Sequence, residues 1–178
     1  AALACYQRAI KLKPGYADAL NNMGNIFKEQ GKLDDALDAF QRTLALKPHY
    51  TGTLSNMGNV LKEQGNFDDA IAAHQAALAL KPDYLDALFN IGNAYMEKGQ
   101  IDLAIGSYQK ALKIMPDHLD ALCNIGNAYR EKGQIDLAIE SYQQAVKIKP
   151  DHADVHCNMG AILKLQGKND ESHRAFTK

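Results

Sequence analysis

The side chains of this chain best placed for chemistry are carboxamides. Asparagine stands at 22, 56, 90, 124 and 158, within the runs "NNMGN", "SNMGN", "FNIGN", "CNIGN" and "CNMGA". A second asparagine follows three positions later in four of the five runs, at Asn25, Asn59, Asn93 and Asn127. A carboxamide carries a donor and an acceptor, so it can match the N–H and C=O of a peptide group. Asparagine is also a poor helix former, costing roughly 0.6 kcal/mol against alanine in a helix interior. A helix that keeps it calls for a compensating role.

Other reactive groups are less promising. His152 and His156 are spaced i, i+4 with Asp151, Asp154 and Cys157 nearby, which on a continuous helix would suit a metal ion. However, His152 falls in a turn, and its counterpart His118 is followed by Leu122 where His156 stands. No metal and no cofactor is expected. Cys123 and Cys157 occupy equivalent places about one helix diameter apart, roughly 10 Å, beyond the ~7 Å reach of a disulfide. With Cys5 they are read as small packing residues of a reducing compartment, which makes a cytoplasmic location the expectation. No Ser/His/Asp set, phosphate-cradling loop or paired carboxylate with a matching base appears, so this segment is not expected to be an enzyme.

The elements that position the asparagines repeat every 34 residues. Glycines fall at 24, 58, 92, 126 and 160, and again at 31, 65, 99, 133 and 167, while the five prolines fall at 14, 48, 82, 116 and 150. Residues 85–118 and 119–152 differ at six of 34 positions. A fixed period of this size means stacked units that bury their apolar faces against one another. Within a unit the period is helical: Ala87, Leu88, Ile91, Ala94 and Tyr95 form one stripe, and Leu103, Ala104, Ile105, Tyr108, Ala111, Leu112 and Ile114 a second. Gly99 stops the first helix, and Pro116 the second. Asp34, Asp68, Asp102, Asp136 and Asp170 are expected at the capping sites that open the second helices. The units are a partial one at 1–16, full ones at 17–50, 51–84, 85–118 and 119–152, and a partial one at 153–178, making one array over 1–178.

This pattern resembles the tetratricopeptide repeat (TPR) over essentially the whole chain. Gly92, Tyr95, Ala104, Tyr108, Ala111 and Pro116 carry the family's small–large signature, and Gly126, Tyr129, Ala138, Tyr142, Ala145 and Pro150 repeat it. Leu20, Leu54, Leu88, Leu122 and His156 stand where the family often has Trp, Thr43 replaces a usual Ala, and His74 replaces a usual aromatic. The resemblance implies an all-α fold, a right-handed TPR superhelix (α-solenoid) of antiparallel helix pairs whose first helices line a concave groove. "CNIGNAY", "EKGQIDLAIESY" and "IKPDHADVHCNMG" are most similar to the superhelical TPR region of protein O-GlcNAc transferases, whose asparagine ladder for protein substrates matches Asn22, Asn56, Asn90, Asn124 and Asn158.

Asp86, Asn90, Asn93 and Glu97 project within about 60° of one another on the first helix, away from the apolar stripe. Stacked copies would form ladders flanked by Lys28, Lys62, Arg130 and Lys164. An extended peptide rises ~3.3 Å per residue, so rungs about 10 Å apart would meet every third residue of its backbone. The peptide-binding candidates are therefore Asn22, Asn56, Asn90, Asn124 and Asn158, with Asn25, Asn59, Asn93 and Asn127. The plainer alternatives stand beside this one: first-turn aspartates serve the helix dipole, and the second asparagines bridge neighbouring helices. The TPR clamp for chaperone C-termini fits Asn25 and Asn56 but has Asn21, Asp86 and Asn90 where it needs cations.

A net charge of −1 offers no basic field for nucleic acid. No run approaches the roughly 18 apolar residues of a membrane span. The expected partner is a protein or peptide in extended conformation, bound by a non-catalytic scaffold. The chain opens and closes within second helices, as a segment of a longer array would, and no polar cap is visible at either end. That leaves a second expectation, weak head-to-tail self-association through Leu3, Tyr6 and Ile10 at one end and Ala175 and Phe176 at the other.

Overall fold

A computed structural model describes residues 2–165. Asp170, Gly167, Ala175, Phe176 and the closing partial second helix lie outside the described residues. Ten α-helices and no strand occur among the described residues: α1 (Ala2–Leu12), α2 (Ala17–Glu29), α3 (Leu33–Leu46), α4 (Thr51–Glu63), α5 (Phe67–Leu80), α6 (Leu85–Glu97), α7 (Ile101–Ile114), α8 (Leu119–Glu131), α9 (Ile135–Ile148) and α10 (Ala153–Leu165). Even-numbered helices are the first of each pair and odd-numbered ones the second, as the 34-residue period requires.

The helix ends follow from local chemistry. Gly31, Gly65, Gly99 and Gly133 have φ of 71°, 80°, 67° and 77°, a region a side chain resists. The residue after each closes the motif: Lys32 N–H reaches Phe27 C=O at 2.9 Å, and Gln134 N–H reaches Tyr129 C=O at 2.8 Å. Both satisfy carbonyls that the helix end would orphan. The expected capping role of the aspartates is corrected in part. Lys32 and Gln134 occupy the N-caps of α3 and α9 without a side-chain bond, and Asp34 and Asp136 sit in the first turn behind them. There they still suit the dipole.

The chain divides into two compact units, residues 1–94 and 95–178. In the first, α2 packs on α3 and α4 on α5, with α3 against α4 and α1 against α2. In the second, α8 packs on α9, α7 on α8 and α10 on α9. Fully buried alanines set the approach: Ala36, Ala39 and Ala70 in the first unit, Ala104, Ala111, Ala138 and Ala145 in the second. Into the spaces between fit Phe40, His74, Tyr108 and Tyr142, each no more than 1% exposed.

The repeated glycines explain how close that fit is. A Cβ on Gly24 would lie 2.6 Å from the Phe40 ring, and one on Gly126 2.6 Å from Tyr142. At those distances the ring must move, so glycine is the residue that lets it rest on the helix backbone. Leu3, Tyr6 and Ile10 also differ from expectation. They are half-buried against Leu20, Met23 and Ala39, because α1 turns its apolar face inward onto the next pair. Leu12 is the large apolar side chain that α1 leaves in solvent, 80% exposed.

Candidate functional site

The asparagines sit on the first helices, where the packing stripe ends. Asn22 is exposed, while Asn25, Asn56, Asn59 and Asn90 are half-buried. Their carboxamides are joined across repeats. In the first unit Asn56 Nδ2 donates to Asn25 Oδ1 at 2.9 Å, and Asn22 Nδ2 points at the Tyr6 hydroxyl at 3.5 Å. Lys62 Nζ approaches Asn90 Oδ1 at 3.5 Å. Asn56 Oδ1 and Asn90 Nδ2 keep no partner among the described residues.

The second unit repeats the theme. Asn158 Nδ2 donates to Asn127 Oδ1 at 3.2 Å, Tyr142 OH donates to the same oxygen at 2.7 Å, and Arg130 donates to Asn158 Oδ1 at 2.9 Å. A further hydrogen bond joins Tyr108 and Asn124. Burial pushes the Tyr142 hydroxyl up to about 12, partly offset by Arg130, so it remains a donor at any ordinary pH. Asn93 also has an interaction partner.

Other polar groups are occupied by structure. Asp18 accepts from Lys47 Nζ at 2.8 Å, and this bond first, with a second from Tyr50, holds its carboxyl below the usual range. Gln64 reaches Asp34 at 2.7 Å and Lys132 pairs with Asp102, each linking one second helix to the turn of the next repeat. Buried Thr53 donates to Asn21 Oδ1 at 2.8 Å. These cross-repeat bonds escaped sequence reading, although the near-34-residue spacing of their members carried the signal. Thr43 Oγ1 turns back to Ala39 C=O at 2.8 Å, which lets it stand for alanine.

His156 is buried and its Nε2 lies 2.7 Å from Pro150 C=O, so it anchors its turn. No three His, Cys, Asp or Glu side chains gather as a metal site among the described residues. Cys5 and Cys157 are exposed free thiols; Cys123 is half-buried, and burial raises its thiol to about 11. No described helix is long and apolar enough to cross a membrane. The arrangement can offer amide donors, amide acceptors and scattered cations.

Three comparisons bear on this geometry. A family model described as TPR repeat matches residues 1–31, 58–99, 92–129 and 126–167, and a tetratricopeptide repeat model matches 17–50. No curated protein matches the chain. Among solved structures, the crystal structure of MamA is 26% identical with a TM-score of 0.82, covering 86% of this chain and 90% of that one. MamA 41-end from Desulfovibrio magneticus RS-1 is 22% identical with a TM-score of 0.84, covering 90% and 91%. YrrB, a TPR protein with an unusual peptide-binding site, is 20% identical with a TM-score of 0.79, covering 96% and 88%. At 22% and 20% identity the last two speak to the fold alone.

Proposed function

The chain belongs to the tetratricopeptide repeat family, and we propose that it binds extended polypeptide along its asparagine-bearing first helices. The family is one of protein- and peptide-binding scaffolds, and the peptide-binding site of YrrB is a precedent for this use of the fold. The reading rests on one observation. After the cross-repeat bonds are made, carboxamide capacity is left over on the same face: Asn56 Oδ1 and Asn90 Nδ2 in the first unit. A peptide group supplies the complement of each, an N–H for the oxygen and a C=O for the nitrogen.

The same asparagines therefore serve two purposes. One half of the amide fixes the neighbouring repeat, and the other half faces the ligand. Recognition through main-chain groups tolerates varied side chains, which suits a scaffold that handles several partners. In a longer O-GlcNAc transferase-like protein such an array would present substrate to a catalytic domain, and that assignment belongs to this proposal.

Asn21, Asp86 and Asn90 stand where a clamp for a terminal carboxylate needs cations, and Lys62 and Arg130 are each held at a ladder asparagine of their own unit. The bound segment is therefore internal and not a chain terminus. A synthetic library of unstructured peptides, with the tightest binder remade as its C-terminal amide, tests this. Affinity unchanged by amidation supports the reading, and loss of most of it would reveal a carboxylate clamp. Head-to-tail self-association is the lesser reading, because α1 packs Leu3, Tyr6 and Ile10 against α2 and α3; sedimentation over a wide concentration range separates it.

A further inference from the structure

In the second unit, Gly126, Asn127, Tyr142 and Asn158 form a closed set. The Tyr142 ring rests on Gly126, its hydroxyl donates to Asn127 Oδ1 at 2.7 Å, and Asn158 Nδ2 donates to the same oxygen at 3.2 Å. Two repeats earlier the equivalent residues are Gly58, Asn59, His74 and Asn90. The His74 ring takes the same seat: a Cβ on Gly58 would lie 2.7 Å from its Nε2, against 2.6 Å from Tyr142 Cε1 on Gly126. An imidazole is shorter than a phenol and has no hydroxyl, so it cannot deliver the Tyr142-type bond.

The consequence is a set of unmatched polar atoms at the positions equivalent to that closed set. Asn59 Oδ1 is buried with no hydrogen-bond partner, and so are both ring nitrogens of His74, which is 0% exposed. Asn90, the counterpart of Asn158, has its oxygen near Lys62 Nζ, and its Nδ2 is unpaired among the described residues. Buried polar atoms in native proteins are satisfied by protein or by ordered water. Here no described side chain or backbone group completes the set, and the hydroxyl that does so in the second unit is missing from the imidazole.

We propose that the first unit binds a single ordered water in the place that the Tyr142 hydroxyl takes in the second. Its hydrogens go to Asn59 Oδ1 and to the unprotonated nitrogen of neutral His74, and its oxygen accepts from Asn90 Nδ2. That gives three hydrogen bonds, the usual number for a buried water. The water thereby fixes the Asn59 carboxamide beneath the candidate binding face, as the tyrosine hydroxyl fixes Asn127. The proposal concerns the support of Asn59 and uses one of the two Asn90 Nδ2 hydrogens, leaving the other for the peptide C=O of the binding reading.

A high-resolution crystal structure of the chain, beside that of His74→Tyr, tests it. The expected result is water density within hydrogen-bond distance of Asn59 Oδ1 and a His74 ring nitrogen. In His74→Tyr the hydroxyl should displace that water and bond Asn59, shifting the folding equilibrium toward the native state by roughly fivefold, the worth of one hydrogen bond. If the variant does not fold, the wild-type density alone decides. An Asn59 amide turned over to contact His74 directly, with no water between, would overturn the proposal. So would a hydroxyl that, in the His74→Tyr variant, bonds some group other than Asn59.

Discussion

Asn56 Nδ2 donates to Asn25 Oδ1 at 2.9 Å, so the first helix of one repeat is tied to the first helix of the repeat before it. This bond divides the asparagines by what removing them should do. Asn25→Ala deletes the acceptor and leaves the half-buried Asn56 amide unsatisfied, at a cost of about 1–3 kcal/mol. Asn22 is exposed, and its contact with Tyr6 is long at 3.5 Å. Asn22→Ala should therefore leave stability equal or raise it by roughly 0.6 kcal/mol through helix propensity. Urea unfolding of the two variants checks the contrast, and equal destabilisation would refute it.

The glycines make a second contrast. Gly126→Ala drives a methyl to 2.6 Å from the Tyr142 ring, and the repacking should cost about 1–3 kcal/mol. Gly106 lies inside α7 with nothing within 4 Å of an added Cβ. Gly106→Ala should stabilise by roughly 0.5–1 kcal/mol. Thermal melts of both would show opposite shifts.

Much of this was legible in the sequence, and the reason is periodicity. Five copies of each anchor fixed the helix pairs, the left-handed glycines and the faces that carry asparagine. The atoms that meet across repeats were not legible, because they depend on how far one helix rotates against the next. Asp34 and Asp102 illustrate this. Their place before an apolar stripe reads as a cap, yet their carboxylates turn to Gln64 and Lys132 of the following repeat. The two halves of Asn56 show the same limit: sequence places the residue on the face, and only packing decides which atom the neighbour takes.

His74 should confer acid sensitivity. Burial first, and then the Lys62 charge, lower its pKa from 6.5 to about 4. The unfolded chain thus binds the proton more readily than the native one. Stability is fully present above pH 6.5, falls as pH drops through the window from 6.5 to 4, and is down by about 2–3 kcal/mol at its lower end. His74→Phe removes the titrating group, so its stability profile across that window should be flatter than that of wild type. Parallel pH-dependent unfolding curves would contradict this account.

Backbone recognition by the asparagine ladder is the central claim, and N-methyl scanning of a bound peptide tests it most directly. Each residue of the tightest library binder is N-methylated in turn, which removes one main-chain N–H donor, and binding is measured by titration. Asn56 Oδ1 is the amide oxygen left open for a peptide N–H, so one position should lose affinity on N-methylation, whereas Asn90 Nδ2 takes a peptide C=O that N-methylation leaves in place. That loss should be about 0.5–1.5 kcal/mol, and Asn56→Ala should abolish it while leaving the rest of the profile unchanged. A flat N-methyl profile, with affinity governed by side-chain substitutions alone and unaltered by Asn56→Ala, would contradict the account.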